Sequence, residues 1–382
     1  MNFNLTEEQQ LLQDSVRRFA ERSYAFAART ALVQAGQGGS AQNWQLFAEN
    51  GWLAAALPEA GGGLGGSVVD TALIAQQLGR ALVIEPYLGC AVLAAQTLAA
   101  AASAEQQARW LPGLACGEQR YALAFAEAAS NGDPSIVEMQ ALRSGDGYVL
   151  NGSKTLVLGA NGASGYIVSA RLHGAQAPHD IALFLVDATA PGVSARAWLL
   201  HDGSRAADLH FAQVRVGDEA LLGAPAGGLA ALREGLAHAV AALCAELVGA
   251  MEKAIEMTAE YLKVRRQFGV PIGSFQALQH RLADMVAELE VARSMLYALL
   301  ASIENDSAAQ RDHTVSMAKS LVGRAAKYVC GQAIQLHGGI GMTEEYAVGH
   351  YFKRAVVADL LFGNGDSHDA ASAAVLQRAL MS

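Results

Sequence analysis

The chain has 382 residues, of which 52% are apolar and 16% charged, and its formal net charge is -9. A single hydrophobic core stops growing at roughly 250–300 residues, so this length predicts two or three packed units. The negative charge excludes a general attraction for nucleic acid or anionic membranes, and a polyanionic ligand would need local basic groups. The thin charged shell indicates an oligomer that buries part of its surface.

The cysteines lie far apart at Cys90, Cys116, Cys244 and Cys330, without CxxC or His/Cys spacing. No metal site is therefore expected, and Cys244 and Cys330, in apolar helical contexts, are predicted to be buried thiols. The N-terminal sequence MNFNLTEEQQ lacks the basic and apolar segments of a secretory signal. The apolar stretch 91–103 is too short to cross a bilayer. A cytoplasmic protein without a membrane or nucleic-acid partner is the expectation.

Residues 1–118 are predicted to form a helical N-terminal domain. Thr6, followed by Glu8 and Gln9, is a plausible helix start, whereas Pro86 and Pro112 are expected to break helices. The glycine-rich segment 61–66 follows no clear strand and is not closed by a Lys/Ser pair. It is therefore interpreted as a loop between helices rather than a phosphate cradle.

Residues 119–225 are predicted to form a middle β domain, an antiparallel barrel or sandwich. Short β-rich runs separated by Gly, Asp and Asn turns support this: YALAFA, GYVLNG, TLVLG, GYIVSAR, IALFLVD, GVSARAWLL and LHFAQVRV. Residues 226–382 return to long Ala- and Leu-rich helical patterns and are predicted to form a C-terminal helical bundle. The fold class is thus α+β, with helical regions flanking the β domain.

Two segments of the C-terminal region carry the chemical signals. The first is YLKVRRQFGVPIGSFQALQHRLADM at 261–285. Here Arg265 offers a planar fork suited to a diphosphate, and Phe268 offers a surface for an adenine ring. The alternative is that an arginine near a helix end is only a solvated side chain or a partner of the helix dipole.

The second segment is QLHGGIGMTEEYAVGHYFKR at 335–354. The amides of Gln276 and Gln335 could read flavin or adenine edges. Gly338 and Gly339 would allow backbone N–H groups to approach a phosphate, although a Gly-Gly pair is more often a plain turn. Each signal is weak alone, and their specificity comes from occurring together in this order.

Over essentially its whole length, the sequence resembles acyl-CoA dehydrogenases, and within that family it looks most like the small subunit of pimeloyl-CoA dehydrogenase. The resemblance implies FAD as cofactor, an acyl-CoA substrate and an electron-transfer flavoprotein as electron acceptor. It also implies that Arg265, Phe268, Gln276, Gln335 and Gly339 hold the adenosine diphosphate of FAD. In this family such residues typically reach the FAD of a neighbouring subunit, so a homodimer, a tetramer or an assembly with a paralogous subunit is expected.

The chain departs from the family where the catalytic base is expected. Family members use a carboxylate to remove the α-proton of the thioester. An ungapped count places Phe362 at one usual glutamate position and Ala239 at the other. Neither side chain can accept a proton. The most suitable acid left is Glu246, on an apolar helix about 10 Å along from Ala239.

Glu246 is therefore the candidate catalytic base, with an intersubunit salt bridge or a hydrogen bond to a neighbouring helix as the slightly favoured alternative. Asp366 and His368 are weaker candidates near the flavin pocket. On the expected ring side of the flavin, Ala126, Leu156 and Leu158 stand where the family has polar or aromatic residues. That pocket should consequently be more apolar than is usual in the family.

Three functions remain open from the sequence. The chain could be an active dehydrogenase with a displaced base. It could be a non-catalytic partner subunit that donates the Arg265 and Gly338 segments to FAD on a catalytic paralogue. It could also be another flavoprotein on the same fold, such as a flavin monooxygenase, which needs no α-proton base. The missing bases and the apolar flavin face favour the second function.

Overall fold

The computed structural model describes residues 4–36, 38–173 and 180–381. The chain divides into two compact units. A helical unit contains Met1–Ala31, Ala72–Val83 and Val240–Ser382, and a β-rich unit contains Leu32–Thr71 and Ile84–Ala239. The division into segments 1–118, 119–225 and 226–382 remains a prediction, because the compact units recruit stretches that are distant in sequence.

The helices appear in the predicted regions at either side of the strands. They are α1 (Glu7–Ser23), α2 (Phe26–Ala35), α3 (Ala41–Glu49), α4 (Val68–Arg80), α5 (Ala95–Ala101), α6 (Ala104–Ala115), α7 (Gly228–Val264), α8 (Gln276–Asn305), α9 (Ala308–His337), α10 (Val348–Leu360) and α11 (Gly365–Met381). A π-helical segment, Tyr87–Ala94, precedes α5.

The start of α1 follows the sequence prediction. The Thr6 side chain accepts a hydrogen bond from the Gln9 amide, and the Gln9 side chain returns one to the Thr6 amide. This reciprocal cap satisfies two N–H groups that the first turn leaves without intrahelical partners. Pro86 lies between α4, which ends at Arg80, and the π-helical segment that begins at Tyr87, but the expectation for Pro112 was wrong. Pro112 lies inside α6, which continues to Ala115.

The strands are β1 (Tyr121–Ala124), β2 (Gln140–Ser144), β3 (Gly147–Leu158), β4 (Gly165–Leu172), β5 (Ile181–Asp187), β6 (Val193–Leu199) and β7 (Arg205–Gly217), with a short hairpin of β8 (Arg266–Gln267) and β9 (Val270–Pro271). The first seven form one sheet in the order β1-β4-β2-β3-β7-β6, and β5 pairs with β4.

Most pairs in this sheet are antiparallel, as predicted, and β3, β6 and β7 form a continuous antiparallel ribbon. Two pairs are parallel: β4 runs alongside β1 and alongside β2. The predicted runs GYVLNG and TLVLG are a single bulged strand, β3. Side-chain alternation reports which face a residue occupies but not the direction of the neighbouring strand, so it could not reveal these pairings.

The long helix α7 belongs to the protein core. Its length and composition would allow it to cross a membrane, but 83% of its most apolar window is buried inside the protein. In the helical unit α7 packs closely on α4 through glycines. A Cβ at Gly79 would lie 2.1 Å from the Glu246 carbonyl oxygen, and one at Gly249 would lie 1.9 Å from the Gln76 carbonyl oxygen. Only glycine permits this approach.

Candidate functional site

The Arg265 segment forms an exposed hairpin at the end of α7. Arg265 follows the last residue of that helix, and β8 and β9 are joined by Phe268 and Gly269. Both turn residues have positive φ, 53° for Phe268 and 83° for Gly269. The Phe268 side chain is 90% exposed. The backbone of Phe268 is in the left-handed region, and its exposed ring buries almost no apolar surface in the protein's own core. A residue in this state indicates a role in binding.

Helix α8 follows this hairpin after a single 3-10 turn, Ile272–Ser274, and Gln276 is its first residue. The residue before it, Phe275, supplies no side-chain cap. The first amide groups of a helix lack intrahelical partners and favour an anion. With the exposed guanidinium of Arg265, this helix start offers donors and positive charge to a diphosphate.

The Gly338 segment forms the end of α9. Gln335 is exposed in the last turn, and the Gly338 amide donates to its carbonyl oxygen. Gly338 ends the helix with a φ of 64° and a ψ of −141°, a backbone conformation that only glycine adopts readily. A Cβ built on Gly338 or Gly339 would meet no atom within 4 Å, so the backbone is open to a ligand at both positions.

The structure brings these two segments together at one end of α7, α8 and α9. The Tyr261 ring on α7 stacks on the His337 ring, with centroids 4.5 Å apart. Arg281 on α8 donates to the Gln332 side chain on α9 at 3.1 Å. Burial lowers the pKa of His337, whose Nδ1 lies 2.7 Å from the Ala333 carbonyl oxygen. The neutral imidazole of His337 at the end of α9 therefore packs against α7 near the end of that helix.

The chemistry of this cluster fits FAD. An arginine fork, an exposed aromatic ring, two exposed amides and two open glycines are the groups that recognise a diphosphate, an adenine and ribose hydroxyls. They belong to the residues that the sequence analysis singled out: Arg265, Phe268, Gln276, Gln335, Gly338 and Gly339. Among the described residues, no group of three or more His, Cys, Asp or Glu side chains is arranged to hold a metal ion.

Glu246 lies within the helical unit and is engaged by an arginine. Its two carboxylate oxygens accept hydrogen bonds from Arg354 on α10, at 2.5 Å from Nε and 2.9 Å from Nη2. Both side chains are largely buried. A bidentate pair of this kind stabilises the carboxylate and holds it in one orientation. The geometry matches the structural alternative raised from the sequence, with the partner on a helix of the same chain.

Ala239 and Phe362, at the two positions where the family resemblance expects a base, lie in different environments. Ala239 is completely buried on α7. Phe362 is half-buried in the turn between α10 and α11 and has a φ of 61°. His368 lies beside that turn, with Nε2 3.0 Å from the Phe362 carbonyl oxygen. Asp366 is exposed in the first turn of α11.

The β-rich unit contains a buried ion pair beside the segment expected to line the flavin ring. The Lys154 ammonium, fully buried on β3, lies 2.6 Å from the Glu127 carboxylate and 2.8 Å from the Ser169 hydroxyl. The Glu127 carboxylate also accepts from the amides of Glu138 and Met139. Burial lowers the pKa of Lys154 to about 8, an effect that Glu127 partly offsets. The ion pair holds Glu127 against β3, and the hydrogen bonds from the amides of Glu138 and Met139 close the loop between residues 127 and 138.

A bulge in β3 sits next to this pair. The Thr155 amide donates to the Ala126 carbonyl oxygen at 2.9 Å. The next residue, Leu156, has a φ of 52° and lies where the pairing of β3 with β7 shifts register. Its amide donates to Asp208 rather than to a neighbouring strand. The structure thus places Ala126 and Leu156 on adjoining segments.

Sequence reasoning did not identify Lys154. The available signal was a lysine in the apolar strand pattern GYVLNGSKTLVLG, at a position where the strand turns inward. A buried lysine is rare unless paired, so the pattern calls for a buried acid nearby. Glu127 was noted only as part of the flavin segment.

Three family models match the chain in sequence. The acyl-CoA dehydrogenase N-terminal domain matches residues 6–118, the middle domain matches 122–214, and the C-terminal domain matches 226–376. A curated relative, the probable acyl-CoA dehydrogenase YngJ of Bacillus subtilis (strain 168), is 31% identical over 375 residues. That alignment covers 96% of this chain and 97% of the relative.

Solved structures of similar proteins span the full chain. Butyryl-CoA dehydrogenase from Megasphaera elsdenii is 25% identical with a TM-score of 0.90, over 99% of this chain and 100% of the other. A chain of the ChsE4-ChsE5 complex from Mycobacterium tuberculosis is 28% identical with a TM-score of 0.89, over 99% of both chains.

Proposed function

Since the chain belongs to the acyl-CoA dehydrogenase family of oxidoreductases, we propose that it introduces an α,β double bond into an acyl-CoA thioester with FAD as cofactor. The observation that carries this proposal is that the segment with exposed Arg265, Phe268 and Gln276 meets the segment with the open backbone of Gly338 and Gly339 through the stacked rings of Tyr261 and His337. An electron-transfer flavoprotein would accept the electrons.

The proposed roles follow from the chemistry of each group. Arg265 and the uncapped start of α8 would bind the diphosphate, and Phe268 would cover the adenine. Gln276 and Gln335 would hydrogen-bond to polar edges of the cofactor. FAD, when bound, would take up the β-hydrogen and two electrons. The protein's own contribution is to orient the thioester and to exclude water around the α-carbon.

A second candidate is a partner subunit that depends on a paralogous chain for the proton-transfer step. The specific observation in its favour is the state of the candidate bases: Phe362 and Ala239 carry no acid, and Glu246 is held by Arg354. We therefore propose Glu246 as a structural carboxylate rather than the base. The resemblance to the small subunit of pimeloyl-CoA dehydrogenase supports the same candidate.

We also propose that the working form is an oligomer in the cytoplasm. Phe268, at the tip of its hairpin, is 90% exposed. Such a surface is typical of an element that binds a ligand or a neighbouring subunit. A homodimer, a tetramer or a hetero-oligomer would each provide that cover.

The cofactor is tested by purifying the protein and recording its flavin absorbance. Arg265→Ala should lower FAD retention because a charge-assisted contact is lost. Arg17→Ala, an exposed arginine paired with Asp14 on α1, is the matched control and should retain the flavin. Equal flavin content in both variants would contradict the placement of the diphosphate.

The two candidates for the proton-transfer step are separated by α-proton exchange of bound acyl-CoA in deuterated water. A chain that carries its own base shows exchange alone. A partner subunit gains exchange only on mixing with a paralogous chain. Glu246→Gln should leave the exchange rate unchanged if Glu246 is structural, and it should lower that rate by roughly 10²–10⁴-fold if Glu246 is the base.

A further inference from the structure

His350 is a buried histidine in the first turn of α10, and the proposed function gives it no role. The residue is 9% exposed. Its Nδ1 atom lies 3.4 Å from Nη1 of Arg29 on α2, and its Nε2 atom lies 3.1 Å from the carbonyl oxygen of Glu344. Polar partners on both ring nitrogens hold the imidazole in one orientation. His350 thus connects α2 with the segment that precedes α10.

The two partners determine where the ring carries its proton. A guanidinium can only donate, so Nδ1 of His350 accepts from Arg29. A carbonyl oxygen can only accept, so Nε2 carries the proton and donates it to Glu344. The neutral ring satisfies both contacts. A second proton would be added to Nδ1 and would point at the guanidinium, which breaks the first contact and brings two cations together.

Arg29 is itself fixed in place. It is 2% exposed, and its Nε donates to the carbonyl oxygen of Leu82 at 2.9 Å. Leu82 follows α4 and has a φ of 53°, which a bulky residue keeps only where its surroundings enforce it. On the same side, the Phe26 ring packs edge-on against the His350 ring, with centroids 4.9 Å apart. The imidazole therefore faces a fixed cation and an apolar ring on α2.

The other charged groups around the ring do not remove this conflict. The Glu344 carboxylate lies 3.6 Å from Nε2 and favours a charged ring, but Lys353 binds that carboxylate at 2.5 Å. Burial lowers the pKa of His350, the hydrogen bond to the Glu344 carbonyl partly offsets this, and the charges of Arg29 and Lys353 lower it further. The unfolded chain therefore binds the proton more readily, so the folded arrangement loses stability as the pH falls below 6.5.

The segment that His350 holds comprises residues 338–347, between α9 and α10. Two further contacts join it to its neighbours. A Cβ built on Gly349 would lie 2.9 Å from the Gly341 carbonyl oxygen, and the Tyr346 ring packs on the His337 ring with centroids 5.1 Å apart. The hydrogen bond at His350 adds the connection to α2, and it is the contact that a proton on Nδ1 would disturb.

We propose that His350 is a pH-sensitive joint: its neutral ring holds residues 338–347 to α2, and its protonation releases them. The joint is built from the chain's own contacts and needs no ligand. A consequence for the cofactor rests on the proposed function. Because the released segment contains Gly338 and Gly339, FAD should be retained less well as the pH falls below 6.5.

The joint is tested by amide hydrogen exchange of residues 338–347 in the full-length protein, with each rate divided by the intrinsic rate at that pH. Protection should fall at least about tenfold between about pH 7.5 and about pH 5.5, where an imidazole gains its proton. His350→Gln keeps an acceptor and an N–H donor but does not titrate. Its protection should stay constant over this range, and an equal fall in both proteins would overturn the inference.

His280→Gln is the matched control, because His280 is an exposed histidine on α8. This variant should keep the full pH dependence. His337 is present in every variant and also reaches the segment, through Tyr346. A pH dependence that survives in His350→Gln would therefore belong to His337 and would contradict the joint.

If His350→Gln does not fold, nitrogen NMR of labelled histidine in the unmodified protein provides the second measurement. At about pH 7.5 the His350 ring should be neutral, with its proton on Nε2, and its titration should coincide with the loss of protection. A proton on Nδ1 at that pH, or a midpoint above 6.5, would overturn the joint.

Flavin retention separates the joint from the proposed function. After dialysis at about pH 5.5, the unmodified protein should lose flavin absorbance and His350→Gln should keep it. Loss of protection without loss of flavin supports the joint and counts against the placement of FAD at Gly338. Unchanged protection overturns the joint, whatever the flavin does.

Discussion

Lys154 in the β-rich unit and Lys319 in the helical unit are both buried, but their ammonium groups are satisfied differently. Lys154 is paired with the Glu127 carboxylate. The hydrogen bonds of Lys319 go to the backbone carbonyls of Asp359 and Gly363. In the β-rich unit, the Glu127 carboxylate neutralises the ammonium charge of Lys154. In the helical unit, the ammonium group of Lys319 fixes the end of α10. The same residue type thus closes a loop in one unit and shapes a turn in the other.

The largest expected effect is that of Lys154→Met. It leaves the Glu127 carboxylate buried without its cation, because only the amides of Glu138 and Met139 remain as donors. Removing one partner of a buried ion pair costs about 3–5 kcal/mol in the free energy of unfolding. Urea denaturation measures the loss. Adding Glu127→Gln should recover part of it, and strictly additive effects would mean that the pair is not coupled.

Lys319→Met should destabilise the protein less, by about 2–3 kcal/mol, because it leaves two neutral carbonyls without donors rather than a buried charge. The same denaturation measurement applies. Lys327→Met is the control, since Lys327 is more exposed and binds the Asp359 carboxylate from the side. A larger loss for Lys319→Met than for Lys154→Met would reverse the comparison between carboxylate and carbonyl partners.

The smallest effect concerns pH. Burial lowers the pKa of both lysines from 10.5 to about 8. Between these values the unfolded chain binds more protons than the folded one, so each lysine makes the free energy of unfolding rise with pH. The stability difference between the protein and Lys319→Met should therefore grow as the pH rises from 8 to 10.5. A shrinking difference would show that the fold holds Lys319 charged.

The order of helices and strands followed from local pattern. The cap at Thr6 and the loop at 61–66 depend on residues close together in sequence, and the structure confirms both. The strand β2, sequence QALRS, was missed because its mixed polar pattern carries no alternation. The parallel pairs of β4 were missed because strand direction depends on the whole chain path.

The candidate site was predictable in part for the same reason. The exposed hairpin at Phe268 and the glycine turn at Gly338 are local motifs, and their meeting at one end of the bundle required only that α7, α8 and α9 be antiparallel neighbours. The burial of Lys319 and the pairing of Glu246 with Arg354 depend on residues 40 to 108 positions away. No pattern within a single helix specifies such partners.

The close approach of α4 and α7 has a consequence for synthesis on the ribosome. Gly79 and Gly249, whose missing side chains allow the contact, are separated by 170 positions. At about 5–20 residues per second, α4 waits roughly 10–30 s after emerging before the α7 surface exists. During that interval the Ala- and Leu-rich face of α4 is exposed to other nascent chains. A chaperone that covers an apolar helix for that time would improve the yield of folded protein.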